Sequence, residues 1–117
     1  MQYLLLIYEN EQTWANQSAS DAGAMMTEYR AFTESIAKSG NYKGGNALQP
    51  TKTATTVRVR NGKRQTTDGP FAETREQLGG YYLVDANDLD EAIGLAERIP
   101  GSRTGSIEVR PIMSLPA

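Results

Sequence analysis

The run Tyr3–Tyr8, YLLLIY, is almost continuously apolar. Successive side chains of a strand point to opposite faces, so a strand covered on both faces needs such a run. This predicts a central strand. Glu9–Ser20, ENEQTWANQSAS, is polar around a single Trp and reads as a linker. From Asp21 the period changes. Met25, Tyr29, Phe32 and Ile36 recur at spacings of four, three and four, which makes one face of an amphipathic helix. Ser18 or Ser20 is placed to cap its start, and Gly40 after Lys38 suits a left-handed stop.

The second half continues in short strands. Gly44–Pro50, GGNALQP, reads as a short irregular strand, and Ala54–Arg60, ATTVRVR, alternates with Val57 and Val59 on one side and Arg58 and Arg60 on the other. Asn61-Gly62 follows, a strong hairpin signal because both residues tolerate positive φ. Lys63–Thr67 is the returning strand, and Gly79–Ala86, GGYYLVDA, is another. A second helix begins at Asp88, which with Glu91 resembles a capping box. Its predicted apolar face is Leu89, Ala92, Ile93, Ala96 and Ile99, and Pro100-Gly101 ends it. Ser106–Ile112 alternates again, with Pro111 pointing to an edge or a strand end.

The order is β-α-β, a hairpin, then β-α-β. This predicts an α+β fold of the ferredoxin-like, split βαβ kind, with both helices on one face of an antiparallel sheet. The 117 residues make one domain, 1–117. A small sheet whose second face is partly apolar needs a cover. A homodimer joined back to back is the simplest, because a two-fold axis lets one patch cover itself.

Composition narrows the chemistry. The 14 acidic and 12 basic residues give a net charge of −2, which argues against nucleic acid or an anionic membrane as general partners. There is no Cys and no His. That removes disulfides, thiolate nucleophiles, imidazole ligands and His-based triads. No metal and no cofactor is expected: the acidic residues match no calcium loop. The opening apolar run is short, lacks a basic leader and leads into Glu9, Asn10 and Glu11. It therefore reads as a strand and not as a signal or a membrane span, with a cytoplasmic location as the default.

One stretch stands out: TTDGPFAETREQLGG, Thr66–Gly80. With YYLVDANDLDEAIGLAERIP after it, and with MQYLLLIY, GGNALQP, ATTVRVR and GSIEVRPI elsewhere, it resembles the DGPF family of the YCII-related superfamily over nearly the whole chain. The resemblance implies a dimeric α+β barrel of ferredoxin-like protomers, similar to muconolactone-isomerase-like barrels. Some relatives are proposed to use a His-Asp pair in a cleft. The Asp of the motif falls on Asp68, and no His exists here to join it. Family members also occur beside, or fused to, extracytoplasmic-function sigma factors, which implies such a factor as a regulatory partner.

Two readings of Asp68 stand. In the first it is a catalytic acid or base in a cleft with Asn46, Arg58, Phe71 and Tyr82. Phe71 excludes water and raises the carboxyl's pKa, and Pro70 holds Gly69 extended. Arg75 then either binds a small organic acid or pairs with Asp68. The chemistry would be cofactor-free proton transfer or lyase-type work. In the second reading Asp68 shapes a turn, Phe71 packs on a dimer partner, and Leu78-Gly79-Gly80 forms a bulge or close strand approach. The protein is then a non-catalytic dimeric module. Arg58, Arg60, Lys63 and Arg64 around the Asn61-Gly62 turn are a solvated tip or a patch for an acidic partner. Tyr81 and Tyr82 put one ring on each face of their strand.

Overall fold

A computed structural model describes residues 1–116. The elements are β1 (Gln2–Glu9), α1 (Glu11–Ala15), α2 (Ala19–Lys38), β2 (Tyr42–Ala47), β3 (Thr55–Arg60), β4 (Lys63–Asp68), β5 (Gln77–Asp85), α3 (Leu89–Glu97) and β6 (Ser106–Pro111). Four strands form an antiparallel sheet in the order β2-β5-β1-β6. The continuous apolar run is β1, and it lies inside the sheet. This is the ferredoxin-like order, with the β3–β4 hairpin inserted as a separate two-stranded sheet. The strand with Pro111 is an edge.

Tyr3, Leu5 and Ile7 of β1, with Tyr82 and Val84 of β5, point toward the helices. Phe32 and Ile36 of α2 and Ala92, Leu95, Ala96 and Ile99 of the α3 region close that core. Leu5, Ile36, Val84 and Ile99 are fully or almost fully enclosed.

Local chemistry fixes the helix ends. Ser18 caps α2 by accepting from the Asp21 amide at 3.1 Å, and Gly40 follows the last turn at φ 82°. Asp88 caps α3 by accepting from the Glu91 amide at 2.9 Å. Glu91 does not return the bond. Its carboxylate takes the side-chain amides of Asn41 and Asn87, each at 2.9 Å, which pins the end of α2 to α3.

Two expectations change. The stretch Glu9–Ser20 is no linker: Asn10 accepts from the Gln12 amide and starts α1, and α2 begins two residues before Asp21. No Gly or Pro interrupts the stretch, so caps suffice to fold it. The inward face of α3 includes Leu95, while Leu89 and Ile93 are about half exposed. Two stripes overlap on this helix, and packing against the sheet selects the one that holds the small residues Ala92 and Ala96.

The hairpin stands away from the body. Asn61 and Gly62 turn it at φ 53° and 74°, and Val57 and Val59 are about 60% exposed because no element among the described residues covers that side. The radius of gyration is 16.3 Å, against about 13 Å for a compact chain of this length. The other face of the main sheet carries the half-buried Leu4, Leu6 and Tyr8 of β1 beside Tyr81 and Leu83 of β5.

Candidate functional site: a cavity between the sheet and the first two helices

A cavity of about 790 Å³ opens between the helix-facing side of the sheet, α2, and a roof made by α1 and the segment after β2. Ile7 and Glu9 come from β1, Gly45 from β2, and Gly80 and Tyr82 from β5. Met26, Tyr29 and Thr33 come from α2 and Trp14 from α1. Its lining is mostly apolar with a few polar groups, the usual make-up of a small-molecule site.

Gly79 lies at the cavity's edge, where the strand pairing is irregular. The β1–β5 register slips between Ile7 and Tyr8, so Ile7 faces Gly80 and Tyr8 faces Leu78. This is the bulge that Leu78-Gly79-Gly80 suggests, and it bends the strand at the cavity's edge.

The roof is tied down by Glu11. Its carboxylate accepts from the Thr51 amide at 2.7 Å and the Thr51 hydroxyl at 2.8 Å, and its own amide donates to Gln77 Oε1 at 3.0 Å. One residue thus links α1, the turn after β2 and the start of β5.

Glu9 continues the inward phase of β1 and is 8% exposed. Its Oε2 accepts from the Trp14 indole, and its Oε1 accepts from the Thr104 hydroxyl at 2.7 Å. Gly101 makes room beside it. A Cβ there would lie 2.7 Å from the Tyr29 hydroxyl and 2.9 Å from Glu9 Oε1. Burial, and then the Glu9 charge, push the Tyr29 phenol up to about 12, so Tyr29 stays protonated at neutral pH.

Tyr82 is the core member of the tyrosine pair. Its ring meets Phe32 edge-on at 5.2 Å and Tyr42 at 6.3 Å. Its hydroxyl shares a 2.8 Å hydrogen bond with Thr33, and burial holds its phenol above the ordinary tyrosine range. Tyr81, on the opposite face, accepts from the Asn46 amide at 2.8 Å.

Of the residues named from sequence, Asn46 and Tyr82 line the cavity. Arg58, Asp68, Phe71 and Arg75 do not. Arg58 lies exposed on the hairpin opposite Gln65, and Asp68 lies exposed at its base opposite Thr55. Phe71 is 78% exposed, and Arg75 is exposed in the connection to β5. No ion pair joins Arg75 to Asp68 among the described residues. Gly69 is not extended as Pro70 suggested: its φ is 95°, which a side chain would resist. The turn is bonded back to the hairpin, Gly69 N–H to the Ala54 carbonyl at 2.7 Å and the Thr56 hydroxyl to the Gly69 carbonyl at 2.8 Å.

The sequence reading passed over Glu9, Trp14 and Thr33 and counted Tyr29 only as core. Glu9 had a legible signal, since it follows Tyr3, Leu5 and Ile7 at period two. Trp14 had little, because a five-residue helix shows no periodicity. Among the described residues no cluster of three or more carboxylates could hold a metal, and no helix is long and apolar enough to cross a membrane.

The fold and the cavity define a small ferredoxin-like α+β domain with a walled small-molecule-sized site. Comparison with known proteins supplies the family. The profile of the YCII-related domain matches residues 1–116, and the chain belongs to that family. It is also 37% identical over 114 residues to an uncharacterised protein of Rhizobium meliloti (strain 1021), covering 96% of this chain and 92% of the relative.

Proposed function

We propose that this YCII-related chain is a small-molecule-binding protein of the DGPF branch that works as a homodimer. The cavity carries the reading: about 790 Å³, mostly apolar, roofed by a helix that Glu11 holds in place. Such a concave, mostly apolar opening with a few polar groups is the usual make-up of a small-molecule site. Ala47 lines the cavity from β2. Replacing it with Phe should abolish the thermal stabilisation that a hit from a metabolite screen gives the parent protein, with the circular dichroism spectrum unchanged. Undiminished stabilisation of the filled variant would refute the assignment.

The dimer is proposed from the second sheet face. Leu4, Leu6, Tyr8 and Leu83 form an apolar strip that no element among the described residues covers. Leu6→Arg should leave a folded monomer, read by sedimentation velocity. An unchanged sedimentation coefficient would count against this interface. Asp68, Phe71 and Arg75 then belong to an arm that meets the second copy. The enzymatic version, cofactor-free proton transfer or lyase-type work on a small organic acid, needs a partner's arm to bring Asp68 to a cavity. Asp68→Asn tests it: lost ligand stabilisation with an intact dimer supports that version, and unchanged stabilisation removes it. The regulatory alternative rests on the exposed basic tip, Arg58, Arg60, Lys63 and Arg64. An extracytoplasmic-function sigma factor held there should be released by reversing Arg58 and Arg60.

A further inference from the structure

Glu9 is a buried carboxyl group without a counter-ion. It is 8% exposed, and no Lys, Arg or amino terminus pairs with it among the described residues. Its two oxygens meet the Trp14 indole and the Thr104 hydroxyl, both neutral groups. Two neutral donors leave part of its acceptor capacity unused. Taking a carboxylate out of water without an opposite charge is costly. A site that keeps such a group at the wall of a cavity is built to have the charge met by something that enters the cavity.

The surroundings say which kind of group. Trp14, Tyr29, Tyr42 and Tyr82 line the cavity, and ring faces attract cations. The acidic lining residues are Glu9 and Glu11, and Lys52 is the basic one. Tyr29 stays neutral at physiological pH. An organic acid entering here would meet an excess of negative charge and the negative faces of aromatic rings. We propose that the cavity takes an organic cation, a protonated or quaternary amine on an apolar or aromatic body, with Glu9 as its counter-ion and Trp14 and Tyr29 as flanking rings. The assignment rests on the reading of this cavity as a small-molecule site and replaces the organic acid expected from the sequence.

Trp14 is the single tryptophan of the chain and lies at the site, so its fluorescence, excited at 295 nm (about the red edge of indole absorption), reports binding directly. Three probes of similar size separate charge from shape: benzyltrimethylammonium, benzyl alcohol and phenylacetate. The cation should bind at least about tenfold more tightly than the alcohol, and phenylacetate more weakly than either. Glu9→Gln should remove most of that preference and leave the alcohol's affinity within about twofold. Equal or tighter binding of the alcohol or of phenylacetate overturns the cation assignment and leaves the cavity reading standing. Cation affinity unchanged by Glu9→Gln overturns Glu9 as the counter-ion. Failure of all three probes to perturb Trp14 overturns the cavity reading with it. Should Glu9→Gln not fold, the probe series on the parent protein decides alone.

Discussion

Glu11 holds the cavity roof through two hydrogen bonds to Thr51, and Glu11→Ala removes both. They measure 2.7 and 2.8 Å and one of them satisfies a backbone amide. Hydrogen bonds to a charged group contribute about 1.5–3 kcal/mol each when buried. Glu11 is only half-buried and the Thr51 amide can turn to water. The pair is therefore worth about 1–2 kcal/mol, near a tenfold change in how often the roof opens. The Glu11 amide keeps its bond to Gln77, so α1 stays attached at one end. The effect should be local. Native-state hydrogen exchange measures it: protection of the Thr51 amide should fall about tenfold, while amides of the β1–β5 ladder change much less. Glu11→Gln, which retains an acceptor, should fall between the two. Unchanged protection at Thr51 would refute the tether. An equal drop throughout β1 and β5 would show that the roof opens only when the whole domain unfolds.

Three further outcomes are expected. Ile99→Ala should destabilise by about 2–5 kcal/mol in urea unfolding, because Ile99 is fully enclosed; a loss under about 1 kcal/mol would mean that the α3 side of the core collapses readily. The raised Tyr29 phenol stabilises the fold fully below the ordinary tyrosine value of about 10, and that stability should be lost as pH rises from there to about 12; Tyr29→Phe should flatten the loss in urea midpoints taken across this range, and an unchanged slope would refute it. Gly69→Ala should cost about 1–2 kcal/mol of local hairpin order, since φ is 95° and the strain is conformational, not steric; unaltered cross-strand contacts between Thr55 and Asp68 in solution spectra would oppose this.

The strands and the two long helices were legible because their periods differ. The apolar run of β1, the Val57/Val59 alternation and the Met25–Tyr29–Phe32–Ile36 stripe each match one template only. Caps fixed the ends: Ser18, Asp88 and Gly40 serve where their chemistry suggested. The misses have physical causes. In α3, Leu89 and Ile93 lie on one stripe and Ala92, Leu95 and Ala96 on its neighbour, and only the docking angle chooses between them. The hairpin's strands show a clean alternation, yet alternation records a two-faced ribbon and not which face something covers. Hence the alternation placed Val57 and Val59 on one side without saying what covers it, and both stand in solvent.

The site was harder to see for a different reason. Motif reasoning favours residues that sit close together in sequence, and Asp68, Phe71 and Arg75 do. The cavity is assembled from distant parts: Thr33 meets Tyr82 across 49 positions, and Glu9 meets Thr104 across 95. Only the tertiary fold brings them together: β6 pairs beside β1, which puts Thr104 next to Glu9, and α2 packs over β5, which puts Thr33 next to Tyr82. One signal was nevertheless present. A carboxylate in the inward phase of a buried strand carries a desolvation cost, whereas a carboxylate on an exposed arm carries almost none. Glu9 in phase with Tyr3, Leu5 and Ile7 is therefore the costlier placement of a carboxyl group than Asp68 in its exposed turn. The test is symmetrical: Asp68→Asn should leave Trp14 fluorescence and its response to benzyltrimethylammonium unchanged in the isolated protomer, while Glu9→Gln should alter both. If Asp68→Asn alters the response there, the arm reaches the cavity within one chain and the ranking of the two carboxylates is wrong.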